Sequence, residues 1–459
     1  MPSGRFTTLW IRQRLDDETR TPAYVWLFLA GLTLTIFSGN WAELGMPTGL
    51  DRPLLLLSIV LFVLDPVKER LRLRTVWILM AVTVLWTLLS WISTGTLGES
   101  YPLFMLLDRI VMPFLMFGLG ALIFSTEHRR MLLLRLSALL GTYLGFTAVM
   151  ERVGLEALIF PRYINMLHAT ALDGAEWRAF GPFGSAEALG MVAALTFFLS
   201  CFLFTRSEGV WRWVAVAGAA LSPLANVLSL TRSAWLGLVM GLVASIILVP
   251  ALRRWIPVFV GGIAVAIVGV FVALPNLTAE LTDRMFRGDS LADRANTNAA
   301  AMRIIEAEPL TGIGWGQFLS ENVLWVRQAD TYPVTQVNIE VHNVLLSRAA
   351  ETGVLGAVLW ILVILFGPVM VLLSRARLAE MQAWKVVGWC ALLILIVPTM
   401  TSPNPYPTPN YLIWLICGIA GRGVLVRLPG LMDPRASNRA FQSRPKPAQS
   451  LSASAPHSA

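Results

Sequence analysis

Apolar residues run along the chain in blocks approaching 20 residues, separated mostly by short polar connections. Blocks of that length predict helices that cross a bilayer. Twelve spans are expected, at 22–39, 53–64, 75–93, 101–124, 131–150, 186–205, 210–229, 232–250, 256–275, 342–373, 385–402 and 409–427. The predicted architecture is an all-α polytopic membrane protein with a large late outer loop, 276–341, that contains short amphipathic helices. Residues 1–21 are expected to be a cytoplasmic amino terminus, and 22–427 the membrane domain. The Ser-, Pro- and Ala-rich stretch 428–459 is expected to be a disordered cytoplasmic tail. The first block lacks a small-residue cleavage site and is followed by many others, so it is expected to be a retained anchor.

Lys and Arg set the orientation. With the amino terminus inside, 24 of the 36 lie on the cytoplasmic side and 11 outside, while Arg109 falls within the fourth span. The excess holds at every short connection, as the positive-inside rule requires. Composition agrees: 56% of residues are hydrophobic, 14% are charged and the mean hydropathy is +0.65, whereas about a quarter of a soluble protein is charged. The net charge of +8 does not point to nucleic acid, because the basic residues lie between apolar blocks and do not gather on one face.

Two connections, 151–185 and 276–341, are long, and both are expected outside; long loops in compact proteins usually carry function. The second holds Arg284, Arg287, Arg294, Arg303 and Arg327 against nine acids, so an anion site there rests on particular positions. Three positions precede or open spans that run inward: Arg178 before the sixth, Arg232 at the eighth and His342 at the tenth. A helix entering from outside directs unpaired amides and its positive dipole end at the outer surface, where phosphate is favoured. Thr231 or Ser233 is expected to cap the eighth span, and Asn343 or His342 the tenth. If they converge, these helix starts form a cup suited to a diphosphate held by guanidinium forks. An arginine at a membrane edge also snorkels to headgroups, and a histidine at a helix start also simply caps it. His168, in an irregular loop, is expected to be solvated.

On a regular tenth span, His342, Leu345, Ala349, Gly353 and Gly356 share a face, and the small residues permit close helix contact. Glu351 lies on the opposite face, which assigns it to anchoring the span and not to a pair with His342. In the long loop, SLADRANTNAAAMRIIEAEP predicts an amphipathic helix on the membrane surface. It opens with Ser290 and Asp293 in capping-box spacing and stops before Pro309. Arg294 and Arg303 face opposite ways on it, so at most one serves a single site. GIGWGQF (312–318) reads as a tight turn; no lysine-bearing helix follows it, as a phosphate loop would need. Cys201, Cys390 and Cys417 fall inside apolar spans, where a thiol packs as a small hydrophobe. No HExxH, CxxC or paired-histidine spacing occurs, and no metal or cofactor is expected.

TRSAWLGL (231–238), the run from Arg294 through EPLTGIGWGQF, and HNVLLSRAAETGVLG (342–356), in that order, resemble the O-antigen ligase and polymerase family of bacterial envelope enzymes. RAFGPFGSAEALG (178–190) is a fainter match. The resemblance covers most of the chain and is most specific over 231–356, within a ligase-like core of about 186–373. It implies a glycosyltransferase that moves a sugar chain from undecaprenyl diphosphate to an acceptor hydroxyl, without a required metal. Transfer is expected at the periplasmic face of the inner membrane. By resemblance Arg232 and Arg294 hold the donor diphosphate, with Arg178 and Asn343 joining the binding set. His342 activates the acceptor hydroxyl or assists the leaving diphosphate, and Glu351, Gly353 and Gly356 are structural. The acceptor is lipid A core for a ligase, the growing glycan for a polymerase, or another hydroxyl. One departure is Asn298, where the family often has tryptophan; it bears on how the loop helix packs.

A transporter or flippase is the rival reading. It favours polar or broken helices near the midplane, for which Asp108 and Arg109 in the fourth span and Pro223 and Asn226 in the seventh are the hints. Asp108 and Arg109 point about 100° apart on a helix and are expected to reach separate partners. A metal-dependent multispan transferase is disfavoured, because residues 40–52 hold only Glu43 and Asp51 as acids.

Overall fold

The computed structural model describes residues 21–46, 49–65, 69–72, 74–169, 177–255, 257, 261, 289–325, 339–375, 379–403 and 405–427. The expected span at 256–275, apart from residues 257 and 261, lies outside the described residues, as do loop residues 276–288 and 326–338 and both ends of the chain. Within them the protein is all-α, apart from an antiparallel pair of two-residue strands, β1 (Arg70–Leu71) and β2 (Val426–Arg427).

Helices stand at the remaining expected spans. In chain order they are α1 (Ala23–Leu34, continued by a 3₁₀ turn to Phe37), α2 (Asp51–Leu64), α3 (Thr75–Ser93), α4 (Ser100–Ile123) and α5 (Glu127–Val153). A short α6 (Tyr163–Ala169) leads to α7 (Ala186–Phe204), α8 (Gly209–Leu228) and α9 (Arg232–Leu248). The late loop contributes α10 (Asp289–Ala307) and α11 (Phe318–Trp325), before α12 (Val344–Leu373), α13 (Ala379–Thr399) and α14 (Pro407–Leu425). Among the described residues, α3, α4, α5, α7, α12 and α13 are long and apolar enough to cross a membrane, while Ala23–Phe37 and α9 are apolar but shorter. His168 therefore falls within α6 and not in an irregular loop, a correction to the expectation.

The bundle packs α5 against α7 and α8, α4 against α14, α9 against α13, and α3 against α12. Small residues make the closest approach possible. A Cβ at Gly141 or Gly145 of α5 would strike Ser222 or the backbone at Leu221 of α8, the close packing that small residues four apart permit. The polar groups of α8 are used internally: Ser222 and Thr196 hydroxyls meet at 3.0 Å, and Asn226 Nδ2 donates to the Gly190 carbonyl at 2.8 Å. Asn226 is thus a tie between α7 and α8.

Two helices depart from regularity. In α4 a π-helical turn at Leu107–Val111 carries Asp108 and Arg109. Asp108 accepts from Arg52 Nη2 at 2.5 Å and from the Tyr411 hydroxyl at 2.7 Å, whereas Arg109 pairs with Glu340. The two charges do reach separate partners, as expected. The second departure corrects the reading of the tenth span. At Gly353 the backbone turns to φ 74°, ψ 171°, so α12 is interrupted and no single face runs from His342 to Gly356. A Cβ at Gly353 would overlap the Leu310 carbonyl. Its smallness admits loop backbone and not a neighbouring helix.

Candidate functional site

The gap in α12 is filled by the glycine turn. Ile313 and Gly314 amides donate to the carbonyls of Ala350 and Glu351, both at 3.0 Å, and the Val354 amide donates to the Pro309 carbonyl at 2.9 Å. From the other side Trp86 Nε1 donates to the Thr352 carbonyl at 2.8 Å, and the Ser90 hydroxyl to that of Glu351 at 3.2 Å. Backbone freed by a break at membrane depth is tolerated where protein satisfies it, and here a distant loop does so. Gly312 (φ 64°) and Gly314 (φ 104°) are required, because the turn adopts left-handed geometry while pressed against residues 350–351 and Thr94. Trp315 is fully buried beneath this plug, and the Arg348 guanidinium lies 4.5 Å over its ring.

The loop also builds a small core of its own. Ala300, Ala301 and Ile304 of α10 pack with Phe318, Val341 and Ala350, which fixes α10 on the first turns of α12. The two arginines of α10 separate as expected. Arg303 Nη1 donates to the Trp325 carbonyl at 2.8 Å, whereas Arg294 lies within electrostatic reach of Arg232 and Glu187. Burial lowers the Arg294 pKa, the like charge of Arg232 lowers it further, and Glu187 offsets part of this.

Arg232 opens α9. The chain reaches it through Leu230, which is buried with φ 48°, a strained conformation for a side chain of that size. This sharp turn draws Thr231 back, so its hydroxyl donates to the Ser229 carbonyl at 3.0 Å and gives the helix no side-chain cap. Ser233 lies inside the first turn. The expected cap on this helix is therefore absent.

Arg178 arrives on a segment pinned at two points. Ala179 N–H donates to the Leu228 carbonyl at 3.0 Å, beside the α8–α9 turn. Glu151, at the end of α5, accepts from the Phe180 and Gly181 amides at 3.0 and 3.1 Å. Glu187, in the first turn of α7, lies within electrostatic reach of both Arg294 and Arg178, and it accepts from the Ser402 hydroxyl at 2.7 Å. Arg178, Arg232 and Arg294 thus come from three separated stretches of chain to one charged neighbourhood that also contains a carboxylate.

Tyr406 connects this group to a second one. It stands beside Ser185 and Glu187 and within reach of the charges of Glu340 and Arg109. In the second group Arg109 Nη1 and Nη2 donate to Glu340 Oε2 and Oε1 at 2.7 and 2.6 Å, and the Tyr101 hydroxyl donates to Oε1 at 2.9 Å. Burial alone would raise the Glu340 pKa; the Arg109 charge and these bonds outweigh it and hold the carboxyl below its usual range. His342 stands just outside α12, its Nδ1 3.0 Å from the Glu340 carbonyl oxygen. A carbonyl only accepts, so this bond calls for the proton on Nδ1, which in a neutral ring puts the lone pair on Nε2. Asn343 caps α12, its Oδ1 accepting from the Leu345 and Leu346 amides at 2.9 and 3.2 Å. Glu351 Oε1 accepts from the Phe318 amide at 3.4 Å and thereby holds α11 to α12. Gly356 sits past the break, facing Thr352 and Trp86.

Glu187, Glu340, Tyr101 and Tyr406 are members of these groups that the sequence reading did not single out. A signal existed for the acids. Each stands at or beside the start of an apolar span, where an ionisable group is costly to place without a partner.

Residues 217–361 match the O-antigen ligase family model. The stretch includes Arg232, Arg294, His342 and the Gly353 break, but not Arg178 or Glu187. The exopolysaccharide production protein ExoQ of Rhizobium meliloti (strain 1021) is 26% identical over 322 residues, which cover 65% of this chain and 71% of that protein. Both similarities fall on a helical chain with apolar helices of membrane-spanning length, and together they support an O-antigen ligase-like family for it.

Proposed function

We propose that the protein transfers or polymerises a glycan, moving it from an undecaprenyl diphosphate carrier to an acceptor hydroxyl at the periplasmic face of the bacterial inner membrane. The reading is supported by Arg178 and Arg294 lying within electrostatic reach of Glu187, with Arg232 in reach of Arg294, although the three come from distant stretches of the chain. Arg232 and Arg294 bind the diphosphate, with Arg178 and the Asn343-capped helix start completing the site. Their positive charge stabilises the negative charge that develops on the leaving group. The acceptor oxygen attacks the anomeric carbon, its proton passes to His342 Nε2, and the bond to the diphosphate breaks with its electron pair. A base so placed contributes about 10²- to 10⁴-fold. Displacement in one step inverts the sugar configuration and requires no metal. The name of the relative, exopolysaccharide production, favours a growing glycan as acceptor over lipid A core.

Reconstitution with an undecaprenyl diphosphate-linked glycan and candidate acceptors, in the presence of chelator, tests the reading. Transfer with inversion is expected, lost in Arg232→Ala and His342→Ala. Transfer that survives both substitutions, or that retains configuration, overturns it. The interruption of α12 at Gly353 is the feature that favours transport instead; movement of the lipid-linked glycan across the bilayer without transfer would establish that reading.

A further inference from the structure

We propose that Arg109 and Tyr101 are positioning residues that set the ring of His342 through Glu340: its side chain is clamped to α4 and its carbonyl holds the ring. The proposal rests on the functional reading for what the ring does, but the clamp itself stands on geometry.

Arg109 projects from the π-helical turn of α4, and such turns recur at functional sites because the extra residue re-aims side chains. Asp108, beside it, is committed to Arg52 and Tyr411. Arg109 is 7% exposed and directs both terminal nitrogens at the two oxygens of one carboxylate. A planar fork on a planar carboxylate fixes orientation as well as distance, which a lysine cannot do. The Tyr101 hydroxyl, from the start of the same helix, adds a third bond to Oε1.

From the clamped residue the path to the ring is short. The Glu340 carbonyl accepts from His342 Nδ1. Val341 between them is fully buried in the loop core, and Asn343 just after caps α12. Residues 340–343 are therefore held by α4, by the loop and by α12 in succession. Rotation of the Glu340 peptide would break the Nδ1 bond and release the tautomer. An ion pair this buried is weak evidence for a stability role, since its desolvation offsets much of its attraction. Orientation is what the arrangement supplies.

The experiment is nitrogen NMR of ¹⁵N-histidine-labelled protein in bilayers, with the His342 signal assigned by its loss in His342→Gln, together with transfer kinetics. In the unsubstituted protein the neutral ring is expected as a single form protonated on Nδ1. In Arg109→Gln the signal is expected to show both tautomers, and kcat to fall about 10-fold or more while KM for the lipid-linked donor stays within about 3-fold, because the diphosphate-binding arginines are untouched. Tyr101→Phe removes one bond of three and is expected to shift ring and kcat the same way to a smaller extent; it carries the test should Arg109→Gln fail to fold. Glu340→Gln keeps an acceptor for the fork, so it is expected to preserve the tautomer better than Glu340→Ala. A ring that stays purely Nδ1-protonated in the folded variants overturns the proposal, whether or not kcat falls. A ring that changes while transfer does not upholds the clamp and instead removes His342 from the proposed reaction.

Discussion

The amide of Gly314 donates to the carbonyl of Glu351 at 3.0 Å, so the glycine turn of the late loop sits inside the interruption that Gly353 opens in α12. Gly353→Ala would force an L side chain to φ 74° and drive its Cβ into the Leu310 carbonyl. It is expected to lower stability by about 2 kcal/mol or more. Thermal unfolding in detergent measures this, and limited proteolysis of the loop should accelerate in parallel. An unchanged midpoint with an equally protected loop would show that the break is incidental.

The arginine group predicts a divergence between binding and stability. Arg232 and Arg294 repel one another, and Arg294 is already lowered by burial. Arg232→Ala should leave the unliganded protein at least as stable, yet weaken pyrophosphate binding about 10- to 100-fold, the range of one or two charge-assisted bonds. Arg232→Lys should recover only part of that loss, since it restores charge without the fork. Calorimetric titration with pyrophosphate distinguishes the cases, and Arg294→Ala and Arg178→Ala extend the series. Equal affinity in all three alanine variants would remove the diphosphate from this neighbourhood.

Glu340 predicts a pH window. Its folded pKa is depressed by Arg109, so the pair contributes stability that is fully present above the unfolded carboxyl value of about 4.3 and is lost as pH falls through the lower folded value. Near neutral pH Glu340→Ala should be destabilised by about 3 kcal/mol, as when a buried pair loses one partner. As the buffer is taken acidic, the gap between the variant and the unsubstituted protein should close. Melting curves across that range provide the check, and a gap that widens toward acid would contradict the pairing.

Asn343→Ala removes the oxygen that accepts from the Leu345 and Leu346 amides. The expected loss is about 1 kcal/mol, with faster hydrogen exchange confined to the first turn of α12. Asn343→Asp should retain the cap, and exchange that is unaltered in Asn343→Ala would mean that solvent serves those amides equally well.

Most of the helices were legible because an apolar block of spanning length admits few other structures. Expected boundaries at 186–205 and 210–229 fall within a residue or two of α7 and α8. The interruption at Gly353 was hidden for a physical reason. A glycine in an apolar run reads as a small packing residue, and whether the helix continues through it is decided by hydrogen bonds from residues 309–314, far away in sequence. The π turn of α4 is similarly silent, since it depends on where Glu340 and Tyr411 stand. Arg178, Arg232 and His342 were visible as ionisable groups before or at the start of spans, and Arg294 through the family resemblance of the late loop. Glu187 and Glu340 occupy equally expensive positions, but the partners that reveal their roles, Ser402 and Arg109, lie more than 200 residues away in sequence.

The missing turn at Gly353 also decides what α12 is attached to. Its first stub, Val344–Thr352, is bonded sideways to the glycine plug and to Trp86 and Ser90, while the longer rod begins afresh beyond the gap. The histidine-bearing end of the helix is therefore anchored by residues 313–314 and α3 separately from the rod that follows the gap.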